Sequence, residues 1–214
     1  IVTVFTGMPW LRSDFRAIRF TQRMAVMLNN TVQENHLNTR NKGIVAAAAA
    51  GLRGQLRGKR APIDTDVNLT GRRALVTGAN SGLGKGIAIR LARQGATVVM
   101  AGRTLDESAR KDVVRLSGNG DVHLERLDLA SFSSVRDFIA NAEYGLPFQI
   151  VVLNAAVIAP TPVRTDAGLD QMLQVNFLSN VLLVEELLKK DRIRPADDGV
   201  SPRIVVVSSE AHRW

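Results

Sequence analysis

The sequence has no cysteine, a single tyrosine and only three histidines among its 214 residues. Without cysteine there can be no disulfide, no thiolate metal site and no cysteine nucleophile. The histidines, His36, His123 and His212, are far apart and lack the spacing of a metal site, so no metal centre is predicted. No apolar run reaches the roughly 18 residues that a membrane-spanning helix needs. What remains is an ordinary globular composition, 45% apolar and 22% charged, which argues against a disordered chain.

The positive charge is confined to the N-terminal end. The first 60 residues hold ten lysines and arginines against two acidic residues, and the rest of the chain is balanced at 18 of each, so the first part carries the whole net charge of +8. We therefore predict a basic, largely helical extension over residues 1–68 and a separate domain over residues 69–214.

Residues 11–28 show helical periodicity, with an apolar face beside a basic stripe formed by Arg12, Arg16, Arg19 and Arg23. Such a helix suits an anionic membrane surface or an acidic protein partner, and it suits equally well a solvated helix packed on its own domain. Nucleic acid is a poorer match, because the segment offers few aromatic platforms. Arginine-rich amphipathic residues near the terminus favour an organelle membrane, with mitochondria ahead of the endoplasmic reticulum or a plastid.

Beyond residue 69, short apolar runs alternate with amphipathic stretches. The runs predict five strands, at Ala74–Thr77, Thr97–Ala101, Val122–Leu127, Gln149–Asn154 and Arg203–Ser208. Helices are predicted between them, at Gly82–Gln94, Leu105–Leu116, Phe132–Ala142 and Leu169–Lys190. This alternation produces right-handed βαβ units, so we predict an α/β fold with a Rossmann-type, doubly wound parallel sheet. Ligands of such sheets bind beyond the carboxyl ends of the strands.

A glycine-rich turn follows the first predicted strand and opens directly into a helix. Its residues are Thr77, Gly78, Ala79, Asn80, Ser81, Gly82, Leu83 and Gly84. Three glycines at this spacing allow a tight turn and let the backbone approach a pyrophosphate closely. Free N–H groups at the helix start, together with the positive end of the helix dipole, would face the phosphates. The turn therefore predicts a dinucleotide site.

The second predicted strand is followed directly by Gly102 and Arg103. An acidic residue in this region would hold the ribose 2′-hydroxyl of NAD, and here glycine takes that place. The guanidinium of Arg103 suits a 2′-phosphate, so NADP(H) is favoured over NAD(H).

Taken together, these residues resemble the short-chain dehydrogenases/reductases. Residues 77–84 match the TGxxxGxG turn of that family, and Asp128-Leu129 resembles its adenine-contacting pair. Asn154-Ala155-Ala156 stands where the family carries NAG, with Ala156 in place of the glycine. Asn176 resembles the helix asparagine of the catalytic tetrad, and Ser209 matches the catalytic serine. The resemblance covers residues 69–214 and is nearest to the retinol-dehydrogenase, WW-domain-oxidoreductase and protochlorophyllide-reductase branch.

The resemblance implies hydride transfer between a nicotinamide and a small carbonyl or alcohol substrate, in a dimer or larger assembly. It also implies a Tyr-x-x-x-Lys pair downstream of Ser209, but the sequence ends five residues later, and its tyrosine, Tyr144, has no lysine four positions on. Two hypotheses follow. The chain is the amino-terminal part of an NADP(H)-dependent enzyme, or it is a catalytically inactive accessory subunit that retains a nucleotide.

In the predicted helix Leu169–Lys190, Asn176 and Asn180 fall on the apolar stripe that should face the core. A buried amide without partners costs roughly 1–3 kcal/mol, so a polar group is expected to meet Asn176. Where relatives have a glycine-containing turn, this chain has Phe177-Leu178-Ser179-Asn180.

Overall fold

The computed structural model describes residues 2–6, 67–141 and 147–208. The strands are Val2–Thr6 (β1), Arg73–Thr77 (β2), Thr97–Gly102 (β3), Val122–Arg126 (β4), Ile150–Leu153 (β5) and Arg203–Val207 (β6). The helices are Gly82–Arg93 (α1), Glu107–Ser117 (α2), Phe132–Asn141 (α3), Gln171–Leu173 (α4) and Ser179–Lys189 (α5), with a π-helical turn at Gln174–Leu178 between the last two. All five predicted strands and the predicted Rossmann-type fold are confirmed.

The sheet has the strand order β1-β6-β5-β2-β3-β4, and β2 to β6 are mutually parallel. From the central β2 the chain first runs outward through β3 and β4, then returns to β5 and β6 on the other side. The strand order therefore reverses between β2 and β5, and the carboxyl edge at that point is where ligands of open α/β sheets bind.

One strand was not predicted. The N-terminal segment contributes β1, which lies antiparallel to β6 with Val2 opposite Val207 and Thr6 opposite Arg203. The prediction of a largely helical extension did not include this strand, because an apolar run this short is equally compatible with helix and strand. The predicted basic helix over residues 11–28 lies outside the described residues.

Both faces of the parallel sheet are covered, which explains why its strands are almost continuously apolar rather than alternating. On one face Leu75 and Val151 pack with residues of α3 and α5, including Leu183. On the other face, Val76 and Met100 pack with residues of α1 and α2. Burial on two sides makes the sheet a rigid base for the loops at its carboxyl edge.

The boundaries of α2 differ from the prediction for a local reason. The helix begins at Glu107 rather than Leu105, because the carboxylate of Asp106 is its N-cap and accepts a hydrogen bond from the Ala109 N–H at 2.9 Å. It ends where Gly118 adopts φ 76°.

The predicted helix Leu169–Lys190 is likewise not continuous. It begins at Gln171 behind an Asp170 N-cap, and the π-helical turn interrupts it. A π turn inserts one extra residue per turn, so every side chain beyond it lies on a different face from that expected of an α-helix.

Candidate nucleotide-binding site

A cleft of about 470 Å³ opens at the carboxyl edge between β2 and β5. Every residue predicted to bind the cofactor lines it, namely Thr77, Gly78, Asn80, Ser81, Gly82, Leu83, Gly84, Arg103, Asp128, Leu129, Asn154, Ala155 and Ala156. The fold therefore brings together four loops that are separated by up to 79 positions in the sequence.

The glycine-rich turn is closed by a backbone approach that only glycine permits. A Cβ on Gly84 would lie 2.2 Å from the Gly78 carbonyl oxygen and 2.5 Å from Asn154 Nδ2. Gly78 itself has φ +66°, and a Cβ there would lie 3.0 Å from the Ala155 Cα atom. Helix α1 is thereby pulled against the ends of β2 and β5, and its first turn faces the cleft.

The start of α1 offers hydrogen-bond donors to the cleft. Its first intrahelical bond runs from the Lys85 N–H to the Ser81 carbonyl, so the N–H groups of the preceding positions have no partner within the helix. Ser81 occupies the N-cap without a side-chain capping bond among the described residues, and the first turn holds no acidic residue. Uncapped donors at the positive end of a twelve-residue helix suit a diphosphate.

Thr77 and Asn154 join the two sides of the cleft. The buried Thr77 hydroxyl oxygen accepts hydrogen bonds from the Asn154 and Ala155 N–H groups, both at 3.0 Å. In return, Asn154 Nδ2 donates to the Thr77 carbonyl oxygen at 3.1 Å. Both side chains therefore hold the two loops in register.

Asn80 fixes the loop that carries Arg103. Its Nδ2 donates to the Thr104 carbonyl oxygen at 2.8 Å, and a Cβ on Gly102 would lie 3.3 Å from the same nitrogen. The backbone of β3 is thus held so near the glycine-rich turn that a side chain at position 102 would push Asn80 aside. The exposed Arg103 has no hydrogen-bond or ion-pair partner in the described part of the chain.

A second basic residue near the turn, Lys85, is already paired. Lys85 Nζ lies 2.5 Å from the carboxylate of Asp112 on α2. The hydrogen bond from Lys85, with a second from Arg115, holds the pKa of Asp112 below its ordinary value. Because the ammonium of Lys85 is turned toward α2, Arg103 is the one cation among the described residues that lines the cleft.

The loop after β4 forms the far wall. Asp128 turns its carboxylate back onto its own loop, where it accepts a hydrogen bond from the Ala130 N–H at 2.9 Å. Leu129 is buried against the core and closes the cleft from below. Asp128 thus shapes the loop with one of its carboxylate oxygens.

Asn176 has a polar partner, as predicted, but it lies at the surface and not in the core. Its Oδ1 accepts from the Val157 N–H at 2.8 Å, and its Nδ2 donates to the Val157 carbonyl oxygen at 2.9 Å, so the loop after β5 is tied to the π turn. The prediction that Asn176 is buried on the apolar stripe is wrong, because the π turn rotates it to the exposed side. Asn180 is the buried amide, and it donates to the carbonyls of Val175 and Asn176.

Ser209, the candidate catalytic serine, follows β6 in the sequence and lies outside the described residues. The tyrosine, Tyr144, also lies outside them. Sequence reasoning missed two buried polar side chains, Gln174 at the start of the π turn and Ser179 directly after it. The helical pattern gave no signal for them, because in a regular α-helix both would lie off the apolar stripe.

The parallel sheet, with a glycine-rich turn at the point where its strand order reverses, defines the Rossmann class of α/β proteins. The family model described as short chain dehydrogenase matches residues 72–213. The chain belongs to this family, as its motifs predicted.

Curated relatives agree with the predicted branch. The chain is 40% identical to polyprenol dehydrogenase of Mus musculus over 66% of its own length and 43% of the relative's. It is 35% identical to retinol dehydrogenase 13 of Homo sapiens, covering 79% of this chain and 50% of that protein. Protochlorophyllide reductase B of Hordeum vulgare is also 35% identical, with 81% and 46% covered. The chain therefore spans about half the length of the curated relatives it matches, and these support a dehydrogenase or reductase role.

A solved structure supports the fold directly. The 3-oxoacyl (acyl-carrier-protein) reductase of Agrobacterium tumefaciens C58, solved with NADP bound, is 30% identical and superposes with a TM-score of 0.51 over 63% of this chain and 53% of that one. Among the described residues, no helix is long and apolar enough to cross a membrane.

Proposed function

We propose that this chain binds NADP(H) in the cleft between β2 and β5, as the nucleotide-binding part of an enzyme that interconverts carbonyls and alcohols. The observation that carries the proposal is the uncapped start of α1 behind the Gly78–Gly84 turn, with Arg103 on the same rim. When bound, the nicotinamide supplies or accepts the hydride. The residues of this chain bind the cofactor, orient it and shape its surroundings.

The preference for NADP(H) over NAD(H) rests on Gly102, Arg103 and Asn80. A side chain at position 102, where a carboxylate would bind a ribose 2′-hydroxyl, would crowd Asn80, which holds the Thr104 carbonyl. The uncompensated Arg103 guanidinium, by contrast, suits a phosphate dianion as a charge-assisted, bidentate donor. The NADP in the similar Agrobacterium reductase agrees with this choice.

The roles of the other site residues follow from the family resemblance and the geometry. We propose that the Asn176 amide holds the loop after β5 at the substrate end of the cleft, through its two bonds to Val157. Ser209 would hydrogen-bond the substrate oxygen. The carbonyl or alcohol substrate would enter from this side.

We propose that the basic N-terminal segment binds an anionic membrane surface. The protein would then be membrane-associated, with mitochondria as the favoured location. The whole excess of positive charge in the chain lies in the first 60 residues, and anionic lipids attract such basic segments.

The proposal is tested by replacing Arg12, Arg16, Arg19 and Arg23 with glutamine, which leaves the residues of β1 unchanged. We expect the variant to stay in the supernatant when the unchanged chain sediments with phosphatidylserine vesicles. Equal sedimentation of both would count against the proposal.

The cofactor preference is tested by calorimetric titration of NADPH and NADH. Arg103→Ala should weaken NADPH binding by about 1–3 kcal/mol, because one charge-assisted contact is lost, and should leave NADH binding unchanged. Arg126→Ala, at the end of the neighbouring strand β4, is the matched control. Equal losses for NADPH and NADH, or no loss for NADPH, would reject the assignment of Arg103.

A further inference from the structure

Two buried polar side chains, at the first residue of the π turn and at the residue directly after it, reach the far wall of the cleft. Gln174 and Ser179 are both fully buried. Gln174 Nε2 donates to the Ala130 carbonyl oxygen at 2.8 Å, and Ser179 Oγ donates to the Leu129 carbonyl oxygen at 2.6 Å. We call this pair of residues the carbonyl clasp.

The π turn is what allows the clasp to form. Residues five positions apart would be about 140° apart around an α-helix, so their side chains would face different neighbours. Here the Ser179 N–H donates to the Gln174 carbonyl, an i→i+5 bond that places the two residues one turn apart on the same side. Their side chains can then bind adjacent carbonyls, those of Leu129 and Ala130.

Among the described residues, the clasp supplies the hydrogen bonds between this loop and the helix, beside the packing of Leu129 in the core. The loop lines the cleft through Asp128, Leu129 and Ala130. Its internal bonds, from the Ala130 N–H to the Asp128 carboxylate and from the Ser131 N–H to the Asp128 carbonyl, set its shape but not its distance from the helix. The clasp fixes that distance, since it binds two adjacent carbonyls of the loop.

The same turn also holds the opposite loop. Asn176, between the two clasp residues, binds both backbone groups of Val157. One turn of helix therefore positions the loops after β4 and β5 on the two sides of the cleft.

We infer that Gln174 and Ser179 are positioning residues for the adenosine half of the dinucleotide. They hold the loop at residues 128–130 at the distance that the adenosine needs, and binding there stabilises the π turn that carries Asn176. This inference rests on the proposed nucleotide function and specifies which buried side chains support it.

The first test uses the full chain and 2′,5′-ADP, which represents the adenosine half alone. Gln174→Met keeps the length of the side chain but removes the donor to the Ala130 carbonyl and the acceptor of the Thr165 hydroxyl, which lies 2.5 Å from Gln174 Oε1. We expect Gln174→Met and Ser179→Ala each to weaken 2′,5′-ADP binding about tenfold by calorimetry, as a lost buried hydrogen bond would.

Two controls separate positioning from general stability. Thr165→Val removes the other bond of the Gln174 amide and leaves the bond to Ala130, so binding of 2′,5′-ADP should stay within about twofold of the unchanged chain. Gln149→Leu removes a second buried glutamine, whose Oε1 accepts from the Arg73 N–H at the amino edge of the sheet. It should lower thermal stability without changing the affinity.

A second measurement does not depend on affinity. In the unchanged chain, 2′,5′-ADP should slow amide hydrogen exchange in residues 174–180, and in Ser179→Ala this slowing should be reduced at saturating ligand. A clasp that only stabilised the fold would lower protection with and without ligand alike, and would leave the ligand-induced slowing intact.

The outcomes are distinct. If the unchanged chain binds 2′,5′-ADP and both clasp variants bind it equally well, the inference is wrong and the proposed function stands. The inference is also wrong if Gln149→Leu weakens binding as much as the clasp variants do. If the unchanged chain binds neither 2′,5′-ADP nor NADPH, the proposed function fails and this inference fails with it.

Discussion

The two sides of the cleft are built in different ways. At the β2–α1 junction the contacts are between backbone atoms, with Gly84 pressed against the Gly78 carbonyl and no side chain between them. At the β5–π-turn junction, side chains such as Asn176 reach across to backbone groups of a loop 19 positions away in the sequence. The first side depends on the absence of side chains and the second on their hydrogen bonds, so different substitutions should break them.

The largest effect is expected at the β2–α1 junction, where the backbone atoms of Gly84 and Gly78 are in close contact. Gly84→Ala would place a Cβ 2.2 Å from the Gly78 oxygen, so α1 must move away from the turn. We expect the affinity for NADPH to fall at least about tenfold. The free energy of unfolding should fall by about 3 kcal/mol or more, the range of severe overpacking. Fluorescence titration and chemical denaturation would measure both.

Gly86 provides the matched control, since it lies in the same helix and a Cβ there meets nothing within 4 Å. Gly86→Ala should stabilise the chain by about 0.5–1 kcal/mol, because alanine favours the helix, with NADPH binding unchanged. If the two alanine variants behaved alike, the close approach at Gly84 would not matter for the cleft.

The next largest effect is expected where the two sides meet. Thr77→Val preserves the shape of the side chain but removes the acceptor of two N–H groups, those of Asn154 and Ala155. We expect a loss of about 2 kcal/mol in the free energy of unfolding, the cost of unsatisfied polar groups, measured by urea denaturation. Thr77→Ser retains the hydroxyl and should lose clearly less. A loss in Thr77→Ser as large as that in Thr77→Val would contradict the prediction, because packing of the methyl group would then matter as much as the hydrogen bonds.

A smaller effect is expected at a helix cap away from both sides. Asp106→Ala removes the N-cap of α2 and should cost about 1 kcal/mol of stability in thermal denaturation. Because Asp106 does not line the cleft, NADPH affinity at a temperature well below the transition should be unchanged. Weaker binding in this variant would mean that α2 positions the Arg103 loop, so that the two sides are less separate than their contacts suggest.

The smallest effect concerns the opposite edge of the sheet. The hydrogen bond from the Thr97 hydroxyl, with a further one from His123, holds the pKa of Asp121 below its ordinary value of 3.8. A carboxylate with a lowered pKa stabilises the fold above its unfolded pKa and loses that contribution as the pH falls through its folded pKa. Stability should therefore decrease below about pH 4, and Thr97→Val should reduce this dependence. An identical pH profile of urea denaturation in the variant would contradict the pairing.

The elements that were predictable from the sequence are those specified by neighbouring residues. The glycine-rich turn, Arg103 at the end of β3 and the five parallel strands each depend on a short stretch of chain. The start of α2 was predicted at Leu105, two residues before the observed start at Glu107. The apolar Leu105 fits the helical pattern, but the Asp106 cap begins the helix after it. Such errors are local and small.

The sequence alone determined the alternation of strands and helices, and with it the fold, because hydrophobic periodicity and glycine spacing act over a few residues. Only the tertiary structure decided that Asn176 is exposed, that Gln174 and Ser179 bind the loop after β4, and that β1 joins the sheet beside β6. The physical reason is that a π turn and an edge strand are selected by hydrogen-bond partners far away in the chain. No local pattern specifies those partners until the sheet has brought the loops together.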